Sequence, residues 1–231
     1  MNTSHTQFMR ALEDGFRTTS GLPNRAAYKI FYGQVKPAPF LTLGINPAGS
    51  PNETSADGTQ NSDGTKAAAS ATYYENDEND VLDCEWTENR GLRLLLCPLV
   101  ANNQTRFRAE IVKSNLAFRR SAKKKDIDID AAVAEAEPYL ADIISRVSPR
   151  LILLTGAQLQ TFTKSFAKTV TMLAPIERDP GINHVVFAAS RVTLGASKSE
   201  ITVVQVAHAS QFAWTYAKYN VVERSLALLD A

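Results

Sequence analysis

The sequence is poor in the residues that build metal centres and covalent cross-links. Its 231 residues include two cysteines, Cys84 and Cys97, and three histidines. Two cysteines are too few for a disulfide framework or for an iron-sulfur cluster held by four thiolates, and the scattered histidines lack metal-ligand spacing. We therefore expect a protein of the reducing cytoplasm that carries no metal or other cofactor.

Long apolar runs and an excess of charge of either sign are also missing. No run approaches the roughly 18 apolar residues that cross a bilayer, and no cationic segment leads into an apolar stretch at the start. These features predict neither membrane insertion nor secretion. With 25 basic and 24 acidic residues the formal net charge is +1, so any contact with nucleic acid must come from a local patch.

Three common catalytic and nucleotide-binding motifs are absent. The sequence has no G-x-G-x-x-G or G-x-x-x-x-G-K-[ST] loop, which argues against the usual dinucleotide and P-loop sites. It also lacks the G-x-S-x-G elbow of α/β-hydrolases. A serine hydrolase that uses Ser210 with His208 is therefore a minor alternative.

Four short apolar runs, bounded by glycine, proline or polar residues, predict buried strands of a parallel sheet. They are Phe40–Ile45, Ile111–Phe118, Leu151–Thr155 and Ile201–Ala207. Helical patterns precede, separate and follow them at Ala26–Tyr32, Arg90–Leu96, Ala131–Val147, Gln158–Lys168 and Trp214–Leu229. The alternation, in a chain of single-domain length, predicts one layered α/β domain over residues 1–231 with a mostly parallel sheet.

Two polar segments connect the predicted elements. Residues 49–89 are punctuated by Gly, Ser, Thr, Asn and Asp, which predicts a long loop leaving the first strand at the edge where α/β sheets bind ligands. The run Ser121–Asp130 places Lys123, Lys124 and Lys125 ahead of three aspartates. It predicts a solvated connection, with phosphate contact as the alternative.

Two amides and one histidine stand in or just after predicted strands. Asn46 follows the first strand within the run Gly44–Gly49, Asn115 lies inside the second strand, and His208 follows the last. Parallel strands end at one edge of a sheet, so these side chains are candidates for a single site. The structural alternatives stay open: a plain turn at Asn46, a satisfied core amide at Asn115 and a structural hydrogen bond at His208.

The order of these motifs resembles the uracil-DNA glycosylase superfamily. The first motif of that family is a strand ending in Gly-x-Asn/Asp-Pro-Gly or Gly-Gln-Asp-Pro-Tyr-His, and its last is His-Pro-Ser before a helix. The corresponding segments here are GINPAG at Gly44–Gly49 and HAS at His208–Ser210. VKSNLAFRR at Val112–Arg120 resembles the second strand with its base-reading asparagine, and EPYLADIISRVSPRLILLTG at Glu137–Gly156 resembles the helix-then-strand segment. The likeness extends from about Ala26 to Leu229.

The sequence also departs from the family pattern. Asn46 stands where the most active members have aspartate; the mismatch-specific and single-strand-selective branches also have asparagine there. An amide orients a water without taking its proton. Ala48 replaces a tyrosine that excludes the methyl group of thymine, and Ala209 replaces the proline of the last motif. The nearest aromatics after the first motif are Tyr73 and Tyr74, far along the loop, and they are the candidates for base stacking.

The resemblance implies a three-layer α/β/α sandwich and a DNA-repair hydrolase that cleaves the N-glycosidic bond of uracil, or of another deaminated or damaged base, flipped out of DNA. Asn46 and His208 would be catalytic: Asn46 would hold the attacking water, and His208 would donate to the leaving base. The substrate-binding residues would be Gly44, Ile45, Pro47, Asn115, Tyr73, Tyr74 and Ser210. The DNA-binding residues would be Arg119, Arg120, Gln211 and Phe212, with Arg106, Arg108 and Lys113 as further candidates for phosphate contact.

A different class of function remains open beside this one. A non-catalytic member of the superfamily would keep the pocket and bind nucleic acid or a nucleotide without cleaving it. The neutral overall charge, the alanine at position 209 and the distant aromatics favour this alternative. The sequence leaves open the identity of the base, the strandedness of the DNA, the oligomeric state and any protein partner.

Overall fold

The computed structural model describes residues 3–22, 27–47, 59–60, 66–67, 79–83, 85, 87–121, 127–156, 159–195 and 200–230. Its strands are β1 (Phe40–Gly44), β2 (Thr59–Gln60), β3 (Lys66–Ala67), β4 (Ile111–Asn115), β5 (Leu151–Thr155), β6 (Ala167–Arg178), β7 (Val185–Leu194) and β8 (Glu200–Val206). Its α-helices are α1 (Thr3–Ser20), α2 (Asp80–Asp83), α3 (Thr87–Leu96), α4 (Gln104–Glu110), α5 (Ile129–Val147), α6 (Leu159–Phe166), α7 (Ala209–Phe212), α8 (Trp214–Lys218) and α9 (Val221–Ala227).

Six strands form one mixed, mostly parallel sheet in the order β4-β1-β5-β8-β7-β6. Strands β4, β1, β5 and β8 are parallel to one another, whereas β7 and β6 are antiparallel to their neighbours. The chain passes from β1 to β4 on one side and then returns past β1 to β5 on the other. In α/β sheets such a reversal opens a crevice at the carboxyl ends of the two strands, which here are β1 and β5.

Hydrophobic residues on the two faces of the sheet form separate clusters. Within β5, Ile152 and Leu154 belong to one cluster and Leu151 and Leu153 to the other, because successive strand side chains point to opposite faces. The first cluster also contains buried residues of α1 and α5, and the second contains buried residues of α3 and α9. The central strands are therefore buried on both faces, which is why their sequences are continuously apolar.

The four predicted parallel strands are confirmed, with small differences at their ends. The second strand ends at Asn115 rather than at Phe118, although its pairing with β1 continues: the Leu116 amide donates to the Gly44 carbonyl at 2.9 Å. The helical predictions Arg90–Leu96 and Ala131–Val147 are confirmed within α3 and α5.

The predicted helix Ala26–Tyr32 is wrong over its described part, residues 27–32. Tyr28 instead forms an antiparallel bridge with Arg119, and the Lys29 amide donates to the Phe118 carbonyl at 2.9 Å. The segment is rich in aromatic and β-branched residues, which favour extended backbone. Pairing with the chain beyond β4 therefore overrides the weak helical pattern.

The hairpin of β6 and β7 was not predicted. The helix expected over Gln158–Lys168 ends at Phe166, and the chain enters β6 at the next residue. β6 is exposed along most of its length, including the apolar residues Val170, Met172 and Ile176. It contains a proline, Pro175, and its pairing with β7 shifts register at four places. An exposed edge strand lacks the apolar run by which buried strands are recognised.

The remaining differences concern helix boundaries. α1 was not predicted, and α2 and the first turn of α3 lie inside the predicted loop 49–89. The helix predicted over Trp214–Leu229 is divided into α8 and α9 at Asn220, whose φ of +48° interrupts the helical backbone. Within the described ranges, none of the helices has the length and apolar character that a membrane span requires.

Candidate active site

The carboxyl ends of the four parallel strands carry the candidate site. Asn115 ends β4, Gly44 ends β1, Gly156 follows β5 and His208 follows β8. In the sheet order β4-β1-β5-β8, β5 alone separates the strand that precedes Asn46 from the strand that precedes His208. Two strand spacings are about 10 Å, so the sheet brings the predicted catalytic residues to neighbouring positions along one edge.

The Asn115 side chain leans inward across the end of β1. Gly44 is the register partner of Asn115, and a Cβ at position 44 would overlap the Asn115 Oδ1 atom. A glycine is therefore required at this position for the amide to lie over β1. Asn115 is almost completely buried, and its Nδ2 donates to the hydroxyl of Tyr32 at 2.5 Å.

The His208 imidazole leans inward from the opposite side, across the end of β5. A Cβ on Gly156 would lie 2.5 Å from the His208 Cδ2 atom, and Gly156 has a φ of +68°. Both the close approach and the left-handed backbone favour glycine. Asn115 and His208 thus reach over the two central strands at the crevice.

Hydrogen bonds around His208 determine which ring nitrogen can donate. His208 is the N-cap of α7, and its Nδ1 accepts the Ser210 backbone amide at 3.2 Å. The Ser210 hydroxyl also lies 2.8 Å from Nδ1. A backbone N–H can only donate, so Nδ1 is the acceptor and the neutral imidazole carries its proton on Nε2. His208 therefore offers a neutral Nε2–H donor, while Ser210 belongs to the capping turn.

Asn46 is held with its amide nitrogen toward the protein. Its Nδ2 donates to the Ser121 hydroxyl at 2.9 Å and to the Pro47 carbonyl at 3.0 Å. Within the part of the chain that the structure describes, no protein donor contacts the Oδ1 atom of this half-buried side chain. Oδ1 is thus an acceptor suited to a water molecule.

A buried polar network supports the Asn115 end of the site. The ring of Tyr32 lies between two ammonium groups, with the Lys29 Nζ 4.2 Å and the Lys113 Nζ 4.1 Å from the ring centroid. Lys29 pairs with Asp80 at 3.0 Å, and both side chains are fully buried. Burial lowers the pKa of Lys29 to about 8, although Asp80 opposes the shift. Asn89 donates to the backbone carbonyl and the carboxylate of Asp80.

Glu88 connects this network electrostatically to His208. Its carboxylate pairs with Lys113 at 3.2 Å. Burial raises the pKa of Glu88, but the neighbouring Lys113 and His208 side chains lower it by more, so the net shift is downward. Helix α3 approaches α7 so closely that a Cβ at Gly91 would collide with the Ala209 carbonyl. This packing places Glu88, one turn before Gly91, beside the His208 end of the site.

The predicted DNA-contacting cations have protein partners. Arg119 forms a bidentate pair with Glu135 at 2.6 Å, and these hydrogen bonds raise the pKa of Arg119. Arg120 is buried, and its Nε donates to the Tyr28 carbonyl at 3.5 Å. Arg106 pairs with Glu110 and Arg108 with Asp83, each at 2.7 Å. Phosphate contact by these groups stays a prediction that would require the present partners to be exchanged.

The other predicted site residues fall into two groups. Ile45 and Pro47 accept backbone hydrogen bonds from Ala117 and Ser121, which join the loop after β1 to the chain after β4. Gln211 is exposed on α7, and the half-buried Phe212 packs against the ring of His184, with ring centroids 4.4 Å apart. The candidates that lie outside the described residues are Ala48, Gly49, Tyr73 and Tyr74.

Sequence reasoning missed several residues of this edge. Gly156 directly follows the third predicted strand, so its position at the edge was available as a signal. No such signal marked Tyr32, Glu88 or Ser121. Each of them contacts or influences a site residue that is far from it in the sequence. Within the described ranges, no three or more His, Cys, Asp or Glu side chains group together as metal ligands would.

A comparison of the chain with protein-family models gives no match, and a comparison with curated proteins gives none either.

Proposed function

We propose that the protein is a cytoplasmic DNA glycosylase of the uracil type, with a three-layer α/β/α sandwich fold. It would hydrolyse the N-glycosidic bond of uracil, or of another deaminated or damaged base, flipped out of DNA. The observation that carries the proposal is the convergence of Asn115 and His208 over Gly44 and Gly156, at the crevice of the sheet. An amide and a neutral imidazole donor facing one crevice suit a base that leaves as an anion.

In the proposed reaction each side chain has one task. Asn115 would bind the edge of the base through its amide, which supplies an acceptor and a donor in fixed geometry. His208 would donate its Nε2–H to the base oxygen that becomes negative as the glycosidic bond breaks. A well-placed donor of this kind is worth about 3–4 kcal/mol of transition-state stabilisation.

Asn46 would position the water that attacks the sugar. Its Nδ2 is occupied by Ser121 and Pro47, so the Oδ1 atom would accept a hydrogen bond from that water. An amide cannot remove a proton near neutral pH, so the water would be oriented without being activated. The proposal therefore includes a slow chemical step.

A second candidate is a binding protein that keeps the same crevice without catalysis. Three ion pairs favour this second candidate. Arg106, Arg108 and Arg119 each pair with a carboxylate, and cations that are already paired attract the phosphate backbone of DNA less strongly. Asn46 favours it too, because it supplies no base. Such a protein would bind a nucleotide or a single extruded base through Asn115 and His208.

The direct test of the proposal is a panel of end-labelled oligonucleotides. Each would carry one uracil, hypoxanthine, xanthine or G·T mismatch, in single- and double-stranded form, and abasic sites would be cleaved with alkali after incubation. A glycosylase gives a cleaved strand with at least one of these substrates under single-turnover conditions. Binding without cleavage on every substrate supports the second candidate.

Asn46→Asp separates a slow enzyme from a binding protein. The new carboxylate accepts a hydrogen bond from Ser121 and can take a proton from the water, so we expect excision to rise by about 10-fold or more. Asn103→Asp is the matched control, because aspartate also serves as the N-cap that Asn103 provides for α4. Excision that stays undetectable in Asn46→Asp, with folding and binding retained, would contradict catalysis.

A further inference from the structure

The turn between β6 and β7 lies beside the His208 end of the candidate site. β7 is antiparallel to β8 and pairs Ala188 with Gln205, so β7 begins at the carboxyl end of β8, where the chain continues into His208 and α7. The ring of His184 in this turn contacts the ring of Phe212 at the end of α7. The turn therefore flanks the crevice at the edge that carries His208.

A buried carboxylate joins this turn to α8. Asp179 accepts the backbone amides of Gly181 and Ile182 at 2.7 and 3.2 Å, which closes the turn. The same carboxylate accepts the Lys218 ammonium group and the Tyr219 hydroxyl, each at 2.6 Å. Hydrogen bonds to a charged group are among the strong ones in proteins, so the turn and α8 are held in one fixed arrangement.

Arg178 gives the turn a cation that is available to an anion. It is the exposed last residue of β6, and among the residues that the structure describes its guanidinium donates only to the backbone carbonyl of Asn183, at 3.1 Å. The neighbouring carboxylate of Glu177 pairs with Arg224 at 2.8 Å. A guanidinium without a carboxylate partner can form a bidentate contact with a phosphate. The arginines predicted from the sequence to contact DNA are paired or buried instead.

Trp214 gives the same surface an exposed aromatic ring. It begins α8 and is 49% exposed, and the Lys218 Nζ lies 5.3 Å from its ring centroid. Aromatic rings beside cations are the means by which proteins bind single-stranded nucleic acid, because every base has a face on which a ring can stack. Bases within a duplex are already stacked and paired, so this arrangement suits an unpaired strand.

We propose that Arg178, Trp214 and Lys218 form a flanking surface that binds single-stranded DNA next to the nucleotide in the crevice, an inference that rests on the proposed function. Arg178 contacts a phosphate, and Trp214 stacks on an unpaired base beside the target. The contact with the DNA backbone then comes from the β6 side of the sheet, whereas the paired arginines lie near β4. The flanking surface makes single-stranded DNA the substrate class of the site.

The test is a cycle between Trp214 and the bases beside the target. The probes are single-stranded oligonucleotides of one length with one uracil on a 2′-fluorinated sugar, which resists glycosidic cleavage, and the neighbouring nucleotides either carry bases or are abasic. Fluorescence anisotropy should show about 10-fold tighter binding of the wild type to the probe with neighbouring bases, as expected for one base stacked on one ring. Trp214→Ala should abolish this difference, and Trp214→Phe should keep part of it.

Two further measurements accompany the cycle. Met172→Ala replaces an exposed apolar residue in the middle of β6 and should keep the wild-type difference between the probes. Stacking in the wild-type protein is measured directly as quenching of tryptophan fluorescence by the probe with neighbouring bases, and this quenching should be absent in Trp214→Phe. Thermal unfolding of each variant checks that the fold is retained.

The phosphate contact is tested by the salt dependence of binding. Arg178→Gln should lower the slope of log affinity against log salt by about 0.7, the value for one phosphate contact on a single strand. Arg150→Gln is the matched control, because Arg150 is exposed just before β5, at the opposite edge of the sheet. Equal slopes in the wild type and in Arg178→Gln would contradict the contact.

The outcomes separate this inference from the proposed function. A wild-type protein that binds the uracil probes equally with and without neighbouring bases contradicts the flanking surface alone, as does a Trp214→Ala variant that keeps the difference. A wild-type protein that shows the difference but cleaves no substrate supports the flanking surface and contradicts catalysis. A wild-type protein that binds none of the single strands contradicts both.

Discussion

The parallel strands and the β6–β7 hairpin belong to one sheet but differ in construction. β1, β4 and β5 each have five residues, all of them buried, whereas β6 has 12 residues and is exposed along most of its length. The residues of the candidate site lie at the ends of the parallel strands or just after them: Gly44, Asn115, Gly156 and His208. The comparison indicates that short buried strands position polar groups at a common edge, whereas the hairpin extends the sheet without bringing a described residue to the site.

The largest contrast between the two regions is expected from their ion pairs. Lys29 and Asp80 are both buried, whereas Lys218, which ties Asp179 of the hairpin turn to α8, is half exposed. Lys29→Met leaves a buried carboxylate without its cation and should lower the free energy of unfolding by about 3–5 kcal/mol. Lys218→Met should have a clearly smaller effect in the same urea titration followed by circular dichroism. Equal losses would remove this distinction between the regions.

The two histidines provide the next contrast. His208→Ala should reduce single-turnover excision by about 100-fold or more, because the donor to the leaving base is lost. His184→Ala, at the exposed turn of the hairpin, should change the rate by less than about twofold. His208→Ser keeps a side chain able to cap α7 and should be as inactive as His208→Ala. Full activity in His208→Ala would assign the residue to structure alone.

Two glycines that follow strands test the geometry of the edge. Gly156→Ala forces a side chain into left-handed backbone and against His208, so we expect a loss of about 1–2 kcal/mol in stability. We also expect about a 10-fold slower excision, because the imidazole is displaced. Gly195→Ala, after β7, brings the new Cβ within 4 Å of no atom of the described residues and should leave both quantities nearly unchanged. A comparable loss in Gly195→Ala would show that the two ends of the sheet are equally constrained.

The smallest expected contrast lies in the pH dependence of stability. Burial lowers the pKa of Lys29 from 10.5 to about 8, so between these values the unfolded chain holds a proton that the folded chain has released. Stability should therefore rise with pH in this window, by at most about 1.4 kcal/mol per pH unit. The hydrogen bond to Asp179 raises the pKa of Lys218. The stabilisation that protonated Lys218 contributes is therefore complete below pH 10.5 and is lost as the pH rises above the raised pKa of Lys218.

The measurement for Lys29 compares the free energy of unfolding of the wild type and of Lys29→Met at several pH values from about 8 to 9.5. Burial also raises the pKa of Tyr32 and Tyr216. Above pH 10 these groups ionise in the unfolded chain and lower stability, which sets the upper limit of the window. The stability of the wild type relative to Lys29→Met should rise across this range. A flat or falling difference would contradict a depressed Lys29 pKa.

How far the sequence predicts this molecule depends on whether the decisive interactions are local. The parallel strands were predictable because burial on both faces makes Leu151–Thr155 and its counterparts continuously apolar. Asn115 and His208 were predictable as edge residues because they lie in or just after such strands. The extended segment at Tyr28 was not predictable, because its pairing partner Arg119 is distant in sequence. Tyr32 was missed for the same reason, since its contact with Asn115 exists only after the sheet forms.

The irregular course of β6 has a consequence for how the protein behaves at high concentration. An edge strand offers a row of backbone donors and acceptors to any neighbouring molecule, and Val170, Met172 and Ile176 would add an apolar surface to such a contact. Pro175 removes one donor from that row, and the register shifts bend the strand away from the straight geometry that sheet extension requires. β6 therefore carries built-in protection against edge-to-edge aggregation.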